Sequence, residues 1–232
     1  MDWRTPRIST AIEGKMPESN DAHRSAEPAA AATLAAPRAR PKRRPPGRAA
    51  DRSFSLILCA GMPRAGSTLQ YNLIRLLAEC FLEARAGGWA QSYDDFAARF
   101  PEYSRRGGAP RVPLVLKAHE FDARYAALID PPPRPAAGEP GGHTFCVYRD
   151  VRDALVSYTR QFGGSLDDNI ARWTTRWIEW TEHWCGLVNV TISRYETLMR
   201  DPRGELLRYA RALGIQAPDG EINDILAACS AG

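Results

Sequence analysis

The sequence predicts an α/β fold of three layers, in which a central, mostly parallel sheet is covered by helices on both faces. Three observations predict it. Apolar runs of strand length recur between residues 54 and 192. Stretches whose apolar residues return at helical spacing separate them. The first run is continuously apolar, as a strand buried on both faces must be.

The first strand is expected over 54–60 (FSLILCA). It ends at Gly61 and leads into a helix over 67–77, where Leu69, Leu73, Leu76 and Leu77 recur at helical spacing. Further strands are expected over 112–116, 143–148 and 187–192. Helices are expected over 121–129, 150–162, 167–185, 197–213 and 221–229. Residues 85–111 are read as a helix with mobile flanks, and 131–142, rich in proline and glycine, as a loop. In sheets of this kind ligands sit beyond the carboxyl ends of the strands.

The 232 residues suit one domain with a tail. Residues 1–52 hold 11 Lys and Arg against 6 Asp and Glu, and the rest of the chain holds 20 against 21. The basic charge therefore belongs to the tail. That tail is rich in Ala, Pro and Arg and is expected to be disordered, because it cannot bury enough apolar surface to offset chain entropy. The domain is expected over 53–232. Its near-neutral charge argues against nucleic-acid binding, which would place a basic excess on the fold itself. The five cysteines, Cys59, Cys80, Cys146, Cys185 and Cys229, are odd in number and scattered, so reduced core thiols are expected and neither a disulfide framework nor a metal site. No apolar stretch reaches the roughly 18 residues of a membrane span, and no secretory leader is recognisable, so a cytoplasmic protein is expected.

Four segments carry chemistry. The first is the loop from Gly61 through Met62, Pro63, Arg64, Ala65 and Gly66 to Ser67 and Thr68. A glycine turn between a buried strand and a helix lets backbone amides converge on an anion, and the helix dipole favours negative charge there. The glycine spacing matches the P-loop, but Ser67 stands where a nucleoside-triphosphate loop has lysine. The second is Lys117-Ala118-His119. Residues two apart on an extended chain point the same way, so a cation and an imidazole face one site. Histidine suits general-base work, and the cation suits a developing negative charge.

The third segment runs from Arg149 to Ser157. Arg149 ends a strand and Asp150 is placed to cap the next helix, with Asp153 in the capping-box position. Arg149 and Ser157 can grip one phosphate from two sides. The fourth is Tyr195-Glu196, where Tyr195 can meet an adenine face. Trp173, Trp177, Trp180 and Trp184 fall on one helix face. They are read as core packing, with an aromatic wall for an acceptor as the sharper alternative.

Taken together, these segments resemble PAPS-dependent sulfotransferases, enzymes of the P-loop NTPase-like class that use 3′-phosphoadenosine 5′-phosphosulfate (PAPS). The loop 63–68 is similar to that family's 5′-phosphosulfate loop, Lys117 and His119 to its catalytic strand end, Arg149 with Ser157 to its 3′-phosphate motif, and Tyr195-Glu196 to a later adenine-side element. The resemblance implies that Arg64, Ala65, Gly66, Ser67 and Thr68 hold the 5′-phosphate, with Arg64 also neutralising charge that passes toward the departing bisphosphate. It implies that Lys117 touches the sulfuryl group or the acceptor, His119 is the general base, and Arg149 and Ser157 hold the 3′-phosphate. It implies no metal. The acceptor is expected to be a small molecule or carbohydrate. Two departures stand out. Leu69 occupies the position of an adenine-stacking tryptophan, and the chain stops at Gly232, short of the family's basic closing loop, so the domain is expected to be short at its C-terminus. A P-loop kinase and a non-catalytic nucleotide-binding module stay open as alternatives.

Overall fold

The structure is a computed structural model that describes residues 54–104, 112–129 and 141–230. The expected tail 1–52 and most of the 131–142 loop lie outside the described residues. Strands β1 (Phe54–Gly61), β2 (Arg85–Trp89), β3 (Leu114–Ala118), β4 (Gly141–Tyr148) and β5 (Val190–Arg194) form one sheet in the order β2-β3-β1-β4-β5. Every pairing among them is parallel. The helices are α1 (Ser67–Phe81), α2 (Tyr93–Arg99), α3 (Ala123–Ile129), α4 (Val151–Phe162), α5 (Leu166–Cys185), α6 (Tyr195–Arg200), α7 (Pro202–Ala212) and α8 (Asp219–Ser230).

The period of two along β1 divides the core. Ile57 and Cys59 join Val115, Phe145 and Val147 against α1, α7 and α8. Leu56, Leu58 and Ala60 join Leu114, Leu116 and Cys146 against α2, α3 and α5. Both faces of β1 are thus withdrawn from water, which is why its sequence reads as an unbroken apolar run. Each fully buried leucine or isoleucine contributes about 1.5–3 kcal/mol. The result is the expected three-layer α/β/α fold.

Several boundaries differ from expectation. The region 85–111 holds an edge strand, β2, before its helix α2. Its RAGGW sequence shows no alternation, and the register shifts between Ala86 and Gly88. The third strand runs to Ala118, so Lys117 lies within it and only His119 lies just beyond. β4 begins at Gly141, inside the segment read as a loop. β5 starts later than expected, because Leu187 and Val188 are apolar but follow the end of α5, and Val188 is 84% exposed. The helix expected over 197–213 is two helices. Asp201 caps the second through the amide of Gly204 (2.8 Å), and Pro202 occupies its first turn. The thiols of Cys146 and Cys185, far apart in sequence, approach to 3.6 Å. No helix among the described residues is long and apolar enough to cross a membrane.

Candidate active site

Helix α1 packs on one face of the sheet, whereas α5 packs on the other. The connections leaving β1 and β4, which are neighbours, therefore diverge and open a crevice at their carboxyl ends. The chemistry-bearing segments all reach this edge. Gly61 closes β1, Lys117 pairs with Cys59 near the end of β3, and Tyr148 and Arg194 pair at the ends of β4 and β5.

The loop after β1 is held by its neighbours. Gly61 has φ 146°, and a side chain there would strike the Val147 carbonyl of β4. Met62 donates to that same carbonyl (3.3 Å), and the Ala65 amide turns back to Met62 O (3.3 Å). Arg64 and Gly66 both adopt left-handed backbone, at φ 64° and 81°. For Arg64 this conformation costs on the order of 1–3 kcal/mol. Gly66 is the N-cap of α1, with no side chain capping that end. The first-turn amides of α1 thus have no acceptor among the described residues, as helix geometry requires unless a cap or ligand supplies one. Below the loop, the side chains of Met62 and Ala65 pack with Trp177, Ala154 and Leu155. Ala65 contributes packing, since its amide is already used.

Lys117 reaches over the start of α1 and donates to Thr68 Oγ1 (2.9 Å). Burial, opposed by Cys59 and aided by the Arg64 charge, brings its pKa down to about 8. The Nδ1 of His119 lies 2.7 Å from the carbonyl oxygen of Gly61. A carbonyl only accepts, so Nδ1 carries the proton, and in the neutral ring Nε2 keeps its lone pair. Burial, and then the Lys117 charge, pushes the imidazole pKa down to about 3 despite that hydrogen bond. The ring is therefore neutral at physiological pH. Its backbone is held from the other side, where Trp184 Nε1 donates to the His119 carbonyl (3.1 Å). Trp177 and Trp184 are fully buried, consistent with core packing. Trp173 and Trp180 stay partly exposed, with Arg172 and Arg176 over Trp173 at 4.7 and 5.7 Å.

At the end of β4, Arg149 lies over the Tyr195 ring (4.3 Å). That ring packs on Gly66, where a Cβ would come within 3.0 Å of it. Arg149 Nε is buried and has no hydrogen-bond partner, and its guanidinium lies 3.7 Å from Asp153. Asp150 caps α4 through the Arg152 amide (3.0 Å) and pairs with the Arg152 side chain (2.6 Å). Arg64 Nε donates to Ser157 Oγ (3.1 Å). Arg149, Asp153, Val156, Ser157 and Arg160 line a cleft of about 330 Å³. The fold thus links all four segments through His119 with Gly61, Lys117 with Thr68, Arg64 with Ser157, and Tyr195 with both Gly66 and Arg149.

The chain matches a mouse sulfotransferase, SULT7A1, complexed with PAP, at TM-score 0.50 and 15% identity, over 77% of this chain and 65% of that one. The fold is a sulfotransferase-like fold. A retinol dehydratase in complex with androsterone and inactive cofactor PAP matches equally, at TM-score 0.50 and 15% identity, over 77% of this chain and 64% of that one. The chain thus spans less than two thirds of the length of either protein. No family model matches the sequence, and no curated protein does.

Sequence reading did not single out Arg160, nor the parts played by Trp177 under the loop and Trp184 behind His119. The signal for Arg160 was present, since it falls three residues after Ser157 on the same helix. The signal for the tryptophans was their helical stripe, which names a buried face but not what that face supports.

Proposed function

We propose that this protein is a sulfotransferase that moves a sulfuryl group from PAPS to a hydroxyl or amine of a small-molecule or glycan acceptor, with His119 as general base. The observation that carries the reading is the His119 tautomer. Its proton is committed to Gly61 O, so Nε2 keeps its lone pair, and Lys117, two residues earlier in the chain, touches the phosphate loop. The donor set fits a nucleotide with two separate phosphates. The amides of α1's first turn, with Arg64 and Lys117, suit one phosphate. Arg149, whose buried Nε lacks a partner, suits the other together with Ser157. The PAP held by the two proteins of like fold supports the same reading.

When bound, PAPS supplies a sulfur atom whose bond to the 5′-phosphate oxygen is exchanged for a bond to the acceptor. His119 Nε2 takes the acceptor proton as that bond forms. Lys117 and Arg64 neutralise the charge that passes to the departing phosphate oxygen. Tyr195 walls the loop from the β5 side and offers its ring to the adenine. A kinase would place Asp150 on magnesium, but here that carboxylate is occupied by the Arg152 amide and guanidinium.

Calorimetric titration with adenosine 3′,5′-bisphosphate and with ATP tests the reading. We expect the bisphosphate to bind at least about tenfold more tightly, a gap of roughly 1.4 kcal/mol, without magnesium. Tight ATP binding with none for the bisphosphate overturns the reading in favour of a kinase. Labelled PAPS offered with a panel of phenols, sugars and amines then separates an enzyme from a non-catalytic binding module.

A further inference from the structure

One cation in the α4 cleft has no role in the proposed reaction. Arg160 stands three residues beyond Ser157 and seven beyond Asp153, so the three share one helix face, and the rise from Ser157 to Arg160 is about 4.5 Å. All three line the cleft that Arg149 closes from the end of β4. The neighbouring arginines are engaged: Arg149 lies over Tyr195, Arg152 pairs with Asp150, and Arg64 donates to Ser157. Arg160 is exposed and makes no hydrogen bond or ion pair with any described residue.

Charge decides what this arrangement can hold. Arg149 lies 3.7 Å from Asp153, so these two lining charges offset each other. A phosphomonoester carries about −1.5 to −2 at neutral pH and offers three acceptor oxygens. Arg149 and Ser157 alone therefore present it with hydrogen-bond donors but no net positive charge from the lining. Arg160 makes the lining net positive, and its planar fork suits two oxygens of one phosphate. Arg64 donates to Ser157 (3.1 Å) but does not line the cleft, and it is assigned to the other phosphate.

We propose that Arg160 is a binding and specificity-determining residue. It closes the cleft around a phosphomonoester dianion and makes the protein select a 3′-phosphorylated nucleotide over its 3′-hydroxyl counterpart. The inference rests on the functional reading above and deepens it.

The test is the ratio of affinities of the full 232-residue chain for adenosine 3′,5′-bisphosphate and adenosine 5′-monophosphate. Arg160→Gln is expected to weaken bisphosphate binding by about 10- to 100-fold, the span of a hydrogen bond to a charged group. It should leave the monophosphate within about twofold, which also reports an intact fold. Arg160→Lys should lose less, because it keeps the charge but not the fork. Asp153→Asn should tighten the bisphosphate severalfold. If the wild-type protein prefers the bisphosphate and Arg160→Gln retains that preference, the role of Arg160 is overturned while the functional reading stands. If the wild-type protein shows no such preference, both fall together.

Discussion

Lys117 and His119, at the end of β3, are half-buried, and each is already bonded to a neighbouring element, Thr68 on α1 and Gly61 on β1. Arg149, Ser157 and Arg160, at the end of β4 and along α4, line an open cleft, where Arg149 lies over Tyr195, Ser157 accepts from Arg64, and Arg160 is exposed. The two regions face one crevice but solve different problems. A general base must be neutral and oriented: the Gly61 hydrogen bond fixes the His119 tautomer, and burial keeps the ring neutral while lowering its basicity. An anion site must retain full cations and be reachable, so exposure serves it, at the cost of screening by salt. On the proposed reading, the side assigned to the reaction carries the displaced proton affinities of Lys117 and His119, and the side assigned to holding the anion gathers guanidinium groups, from the half-buried Arg149 to the exposed Arg160.

The two regions differ most at His119. His119→Ala should lower the transfer rate by about 10²- to 10⁴-fold, while bisphosphate affinity measured by titration stays within about twofold. Equal losses in both would mean that the two regions are not separable. The next effect belongs to the packing beneath the loop. Trp177 is 1% exposed and packs with Met62 and Ala65. Trp177→Ala should destabilise the fold by about 3–5 kcal/mol in chemical denaturation and weaken nucleotide binding, because the loop loses its floor. The smallest effect is a matter of pH. Lys117 is a cation below its pKa of about 8 and loses that charge as pH rises through it. Transfer to an acceptor that does not itself ionise should therefore fall about tenfold per pH unit above that point, and Lys117→Arg should move the limb upward. A flat profile to pH 10 would remove Lys117 from the reaction.

Elements with strong local signals were legible. β1 could be read because eight consecutive residues enter a sheet covered on both sides. The loop 61–68 could be read because its glycines and hydroxyls cluster within one turn. β2 was hidden, since Gly87 and Gly88 give an edge strand neither apolar run nor alternation. The division between α6 and α7 was legible in Asp201-Pro202, a cap followed by a first-turn proline, but the apolar spacing across 197–213 masked it. The Cys146–Cys185 approach had no local signal at all, because it depends on where α5 ends against β4.

By itself the sequence determined the layered α/β architecture and the residue types at each strand end, because hydrophobic period, glycine turns and short motifs are properties of neighbouring residues. The tertiary structure decided how those ends act on each other. It set the His119 proton through Gly61, placed Lys117 on Thr68, and joined Arg64 to Ser157. Those pairs lie up to 93 residues apart. Their contacts arise from strand order and helix placement, which no local pattern encodes.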